Sequence, residues 1–271
     1  MTNRLSSFVL LTSLIVFARV DPSRAALSTP VTYPGNGGAG GTVANGSLTL
    51  QDNGTTVFGT FNKAMGMSFQ LDLVLYIDST AGGFTDNKSF RDNGDAMRTA
   101  ISGFNKAANR GSTATFAPGF AADYAIILGV NPPNSGNDLY RLAAGGDGSF
   151  TRITSVNLNP NNDLNYGTYT FSFTWASIGI FSTNAHFFKF QSTYLDSSSS
   201  RTLESFEGLS GTRNYGSVTF SNYNTYGVPP VPEMTTVALT IFGGLFVGSR
   251  VIVLAGRFRR RGADLKRASG D

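Results

Sequence analysis

Residues 168–175 read Thr168-Tyr169-Thr170-Phe171-Ser172-Phe173-Thr174-Trp175, four aromatic rings alternating with four hydroxyl side chains. A period of two puts each set on its own face of a pleated strand, rings toward a core and hydroxyls toward water. Residues 69–77 repeat the pattern, with Phe69, Leu71, Leu73, Leu75 and Ile77 on one face and Gln70, Asp72 and Tyr76 on the other. Residues 187–195 and 216–226 read the same way less regularly, and residues 124–128 are a short apolar run suited to a central strand. Asn, Gly, Ser and Pro turns separate these runs, the pattern of an all-β domain. The expected fold is a single antiparallel β-sandwich, jelly-roll or carbohydrate-binding-like, over residues 47–228. One short helix is expected where Met97, Ala100, Ile101 and Phe104 share a side, with Asp92, Asn93 or Asp95 as cap and Gly103 weakening the end. It is expected to plug an open end or edge of the sandwich.

Composition narrows the chemistry. The chain has 271 residues, no Cys and one His. Disulfides, Cys-ligated metals, Cys nucleophiles and two-histidine metal motifs are therefore excluded, and His186 is the only base open to a Ser-His-Asp triad. Charged residues make up 14%, against roughly 25% in soluble domains. The net charge of +4 belongs to the ends. Residues 1–26 hold 3 Arg against 1 Asp, and residues 229–271 hold 7 Lys and Arg against 3 acidic residues. The intervening stretch has 11 basic and 13 acidic residues, so the body is mildly acidic and offers no basic face for nucleic acid.

The two ends read as addresses. Arg4 precedes an apolar run at residues 8–18, and Ser23 and Ala25 are the small residues of a cleavage site after Ala25. That order is a secretory signal peptide over residues 1–25. Residues 26–46, rich in glycine, read as a flexible spacer. Its Gly35, Gly37 and Gly40 match a dinucleotide fingerprint formally, but no strand precedes them and no helix follows. At the other end, residues 229–233 (Pro-Pro-Val-Pro-Glu) form a stiff linker. Residues 234–256 are apolar with Arg250 as their one charge, long enough as a helix to cross a bilayer at about 1.5 Å per residue. Residues 257–271 are a basic tail, expected to stay cytoplasmic while the body faces outward.

Pro232-Glu233, then a glycine-bearing apolar span, then Arg257, Arg259, Arg260 and Arg261, in a chain that opens with a signal peptide, resembles the PEP-CTERM sorting signal. The resemblance covers about residues 231–261, with Met234 where the family usually has a second proline. It implies an exported protein of a Gram-negative, polysaccharide-producing bacterium. It also implies an exosortase as processing partner, which removes the helix and releases or re-anchors the body at the cell surface, outer envelope or extracellular matrix. A plain single-span membrane anchor is the alternative reading of the same tail.

Within the body the candidate residues are few. Asp78, Asp86, Asp92 and Asp95 fall in one loop whose oxygens suit Ca²⁺, although turn formation and helix capping explain the same residues. No other cofactor is expected. Tyr76, Tyr223 and Tyr226 are candidate glycan contacts, with Tyr215 nearby, because sugar rings stack on aromatic faces while Asn and Asp fix hydroxyls. Trp175 is expected in the core. A glycosidase needs two carboxylates facing each other across a cleft. Asp72 has no acidic partner two residues away, so no catalytic residue is assigned. The expected role is structural or glycan-binding, with an extracellular polysaccharide as partner. A polysaccharide-active enzyme is the alternative.

Overall fold

The computed structural model describes residues 27–38, 41–130, 136–142, 148–181, 186–195 and 198–228. The signal peptide with Ala25, the linker with Pro232 and Glu233, the apolar span and the arginines at 257, 259, 260 and 261 lie outside the described residues. Among the described residues the fold is mostly β, in antiparallel sheets, with one α-helix.

Strands β1 (Val31–Pro34), β2 (Ser47–Asp52), β3 (Thr56–Asn62) and β4 (Asp72–Asp78) precede helix α1 (Ala96–Ser102). A small hairpin of β5 (Phe104–Asn105) and β6 (Arg110–Gly111) leads to β7 (Thr113–Thr115), β8 (Tyr124–Leu128), β9 (Asp138–Arg141) and β10 (Thr151–Ser155). Next come β11 (Thr168–Thr174), a 3₁₀ turn at Trp175–Ile178, and β12 (Phe187–Leu195). The last strands are β13 (Leu209–Gly211), β14 (Ser217–Phe220) and β15 (Asn224–Gly227).

The alternation of rings and hydroxyls in β11 does what its period requires. Tyr169, Phe171 and Phe173 are buried while Thr170 and Thr174 are exposed. β11 pairs antiparallel with β3 along its whole length, and the sheet runs β1-β2-β3-β11. Trp175 is 2% exposed, in the core as expected. The larger sheet runs β10-β9-β8-β4-β12-β15. Its central strands are buried on both faces, as the all-buried β8 and the almost all-buried β4 record. Leu73, Leu75, Ile77, Ile126 and Phe190 share one hydrophobic core with the buried face of the four-stranded sheet. Val74, Tyr76, Ala125, Ile127 and Leu195 point the other way, into a second core with Ala100, Ile101, Ala114 and Val218.

This second core overturns two expectations. Tyr76 is not an exposed aromatic: it is fully buried, rests on Phe116 with ring centroids 4.9 Å apart, and donates from its hydroxyl to the Ile101 carbonyl at 2.6 Å. A tyrosine that satisfies its one polar atom with backbone can sit in a core, so the face that reads as polar is covered. The covering elements are α1, β7 and β14, so α1 lies over a sheet face and does not plug an end. Asp95 caps its start by accepting from the Arg98 N–H, and Gly103 ends it in a left-handed conformation. One pairing, β7 with β14, is parallel, joining segments too distant in sequence for a tight hairpin to fix their direction.

The glycine-rich segment is also corrected: residues 31–38 and 41–46 belong to the body. β1 pairs with β2, and Val43 and Ala44 are buried. Glu204 Oε2 accepts from the Val43 N–H at 2.7 Å, and Asn36 Nδ2 donates to the Leu203 carbonyl at 2.9 Å. Glycine is needed because the backbone comes very close: a Cβ on Gly41 would stand 2.0 Å from the Glu204 carboxylate. Strand β4 begins at Asp72, later than the expected residue 69, while residues 216–226 divide into β14 and β15.

Replacing Tyr76 by Phe removes one buried hydrogen bond and leaves the ring, so it should lower stability by about 1 kcal/mol in urea unfolding. Its far-UV circular dichroism should stay that of the parent, because the ring that fills the core is kept.

Candidate functional site

Both ends of the described body meet at one place. Ser28, just before β1, and Tyr226, on β15, share a hydrogen bond of 3.1 Å between their hydroxyls. They line an open depression of about 460 Å³ together with Asp52 and His186. Asp52 is the last residue of β2, and its carboxylate starts the following turn by accepting from the Gly54 N–H two residues on, at 2.8 Å. Its other oxygen accepts from the Tyr226 hydroxyl at 2.8 Å, and its own N–H donates to Ser28 Oγ at 2.8 Å. Burial pushes the Asp52 carboxyl up, but the hydrogen bonds from Gly54 and Tyr226 outweigh it and hold the group below its ordinary value. Burial raises the Tyr226 hydroxyl well above its ordinary value, so it stays protonated and donates.

Behind the polar groups stands a column of three rings. Trp175 stacks on His186 at 4.6 Å and on Tyr226 at 5.9 Å, both pairs 11° from parallel. The only histidine and the only tryptophan of the chain are therefore in contact. Ser28, His186 and Asp52 are the residue types of a hydrolytic triad. Among the described residues, however, no hydrogen bond joins His186 to either of the others, and the Ser28 hydroxyl is engaged by Tyr226 and the Asp52 N–H. What the depression offers is the Asp52 carboxylate, the Ser28 and Thr29 hydroxyls and the His186 imidazole beside Val31 and Val228, while Trp175 stays buried behind them.

The other expected site residues are dispersed. Tyr223 is half-buried, tilted against Phe120 and 5.2 Å from Lys189 Nζ. Tyr226 is 3% exposed, reaching the depression by its rim, and Tyr215 lies under the Arg110 guanidinium at 3.9 Å. Asp72 is buried. Of the four aspartates considered for calcium, Asp92 and Asp95 both pair with Arg98, and among the described residues no group of three or more His, Asp or Glu gathers. Asp78 pairs with Lys189 at 3.0 Å, Asp86 with Lys88 at 3.4 Å, Asp92 accepts from the Phe150 N–H at 2.7 Å, and Asp95 caps α1. Each does the turn, cap or pairing work that Asp performs without a metal.

One strongly perturbed acid lies elsewhere. Glu207 is 2% exposed, accepts from the N–H and hydroxyl of Ser192 at 2.8 and 2.7 Å, and accepts from Asn224 Nδ2 at 3.1 Å. Burial drives its carboxyl up to about 8, against hydrogen bonds that favour the charged form. Ser28 and Asp52 escaped the sequence reading, since one sits in a presumed spacer and the other in an Asp-Asn-Gly turn whose spatial neighbours are distant in sequence. Comparisons with protein-family models, curated proteins and solved structures return no match.

Because the folded state holds the Glu207 proton longer than the unfolded chain does, its contribution is complete below the ordinary carboxyl range. It is lost as pH rises toward about 8. Thermal melts should show stability falling across that interval, and Glu207→Gln should flatten the fall whatever its own melting temperature. An unchanged slope in the variant contradicts this assignment.

Proposed function

We propose that this chain is an exported protein whose body is a β-sandwich of jelly-roll or carbohydrate-binding type, directed to the cell surface or extracellular matrix by a PEP-CTERM-like tail. There it acts as a structural or glycan-binding module. The two sheets that share a core are the sandwich layers, with α1 and the β7–β14 pair as a cover on the outer side of the larger sheet. The observation that carries the sorting reading is the order of Pro232-Glu233, apolar span and Arg257, Arg259, Arg260 and Arg261, on a chain with a secretory start. The charge distribution supports it, since the net positive charge comes from the two address segments and the body is mildly acidic.

The meeting of Ser28 with Tyr226 adds a geometric argument. A signal peptide cut after Ala25 leaves a mature end close to the point from which the tail departs. Both address segments then join the body at one corner. The glycan-binding reading is supported by the hydroxyls, carboxylate and imidazole that line the depression at that corner. A polysaccharide-active enzyme, the alternative, would release reducing ends from its substrate. A binding module retains the polymer and releases none.

Intact mass of the protein recovered from its host's envelope and medium tests the sorting. The expected result is loss of residues 1–25 together with the segment beyond about residue 232. Loss of the signal peptide alone would leave a one-span anchored surface protein and remove the exosortase from the account.

A further inference from the structure

The outward face of β1, β2, β3 and β11 carries an ordered array. Thr32 faces Thr49, Thr49 faces Thr60, and Thr60 faces Thr170, so one row of threonines crosses all four strands in register. Asn159 extends the row through a bridge to Thr170. All four threonines are exposed or half-exposed, and the Thr32 and Thr49 hydroxyls are hydrogen-bonded at 2.8 Å. A shallow depression of about 330 Å³ lies at the β3–β11 end of the row, with Gln51 and Phe58 beside Thr60 and Thr170. The outward positions in register with this row and its neighbours are hydroxyl, amide or apolar residues, and none is charged.

We propose that this face binds an uncharged, extended β-1,4-linked polysaccharide, its chain running across the strands along the threonine row. The proposal rests on the glycan-binding reading and names its polymer class and contact surface. Neighbouring strands lie about 4.8 Å apart, close to the length one sugar residue occupies in an extended chain. Each sugar therefore meets a fresh hydroxyl or amide as the polymer crosses from strand to strand. Threonine is stiff at χ1, so its hydroxyls are held in place before the ligand arrives and little side-chain freedom is lost on binding. Phe58 supplies an apolar surface for the C–H face of a sugar. The match in charge is zero against zero, and the mildly acidic body repels an anionic polymer.

Full-length protein in detergent, retained on microcrystalline cellulose and in parallel on alginate beads, tests this. Thr60→Val with Thr170→Val keeps shape and β-branching while removing two hydroxyls. It should weaken cellulose retention by about tenfold or more. Thr60→Ser with Thr170→Ser should restore it, and Thr49→Lys, which places a cation in the row, should weaken it again. Thr154→Val, on β10 of the other sheet, should bind as the parent does. Far-UV circular dichroism and melting temperature establish that each variant is folded. Equal retention of parent and row variants would overturn this surface while leaving glycan binding elsewhere on the body. Retention on alginate alone would overturn the neutral class. Retention on neither polymer, together with no binding to other matrix polysaccharides, would overturn the glycan-binding reading as well.

Discussion

The constraint on which the fold depends is that the central strands of the six-stranded sheet must be covered on both sides. β4, β8 and β12 bury nearly every side chain they carry. An apolar strand left open to water on either face would forfeit roughly 25 cal/mol for each Å² of apolar surface exposed, so two separate layers are recruited. The four-stranded sheet closes one side with its aromatic row. Helix α1 and the β7–β14 pair close the other, locked at the Tyr76–Ile101 hydrogen bond. Everything with functional potential is then displaced outward: to the free face of the smaller sheet, to the loops, and to the corner where the described ends meet.

The glycine-rich segment follows from the same constraint. The four-stranded sheet has β1 as its outer strand, and residues 35–46 connect it to β2. The return passes against the buried Glu204, so close that at Gly41 a side chain larger than hydrogen collides with the carboxylate. In exchange, the Glu204 carboxylate satisfies the backbone N–H groups of Val43 and Ala44 inside the protein. Flexibility in the free chain and tight docking in the fold are both properties of glycine, and composition alone does not separate them.

Much of the β framework was legible because it is local. β11 announces itself through three rings and four hydroxyls, β8 through an unbroken apolar run, and α1 through its spacing and its cap. Long-range pairing was not legible. Tyr76 reads as outward from period two, although Val74 on the same face is an apolar residue that signals a covered side. The threonine row exists only once the registers β1–β2, β2–β3 and β3–β11 are known, because its members are scattered from residue 32 to residue 170. The corner of Ser28, Asp52, His186 and Tyr226 is likewise assembled from distant segments. The aspartates of residues 78–95 show the reverse case: a dense local cluster that the fold distributes among turns, a cap and ion pairs.

The central claim is the double-sided burial of one sheet, and native-state hydrogen exchange tests it most directly. Peptides covering β4, β8 and β12 should exchange only through global unfolding, with a common denaturant dependence. Peptides from β1 and β10, at sheet edges, should open at lower free energy. If β4 and β8 instead exchanged through a local opening while the four-stranded sheet stayed protected, the layer formed by α1, β7 and β14 would not be an integral cover, and the account would be contradicted.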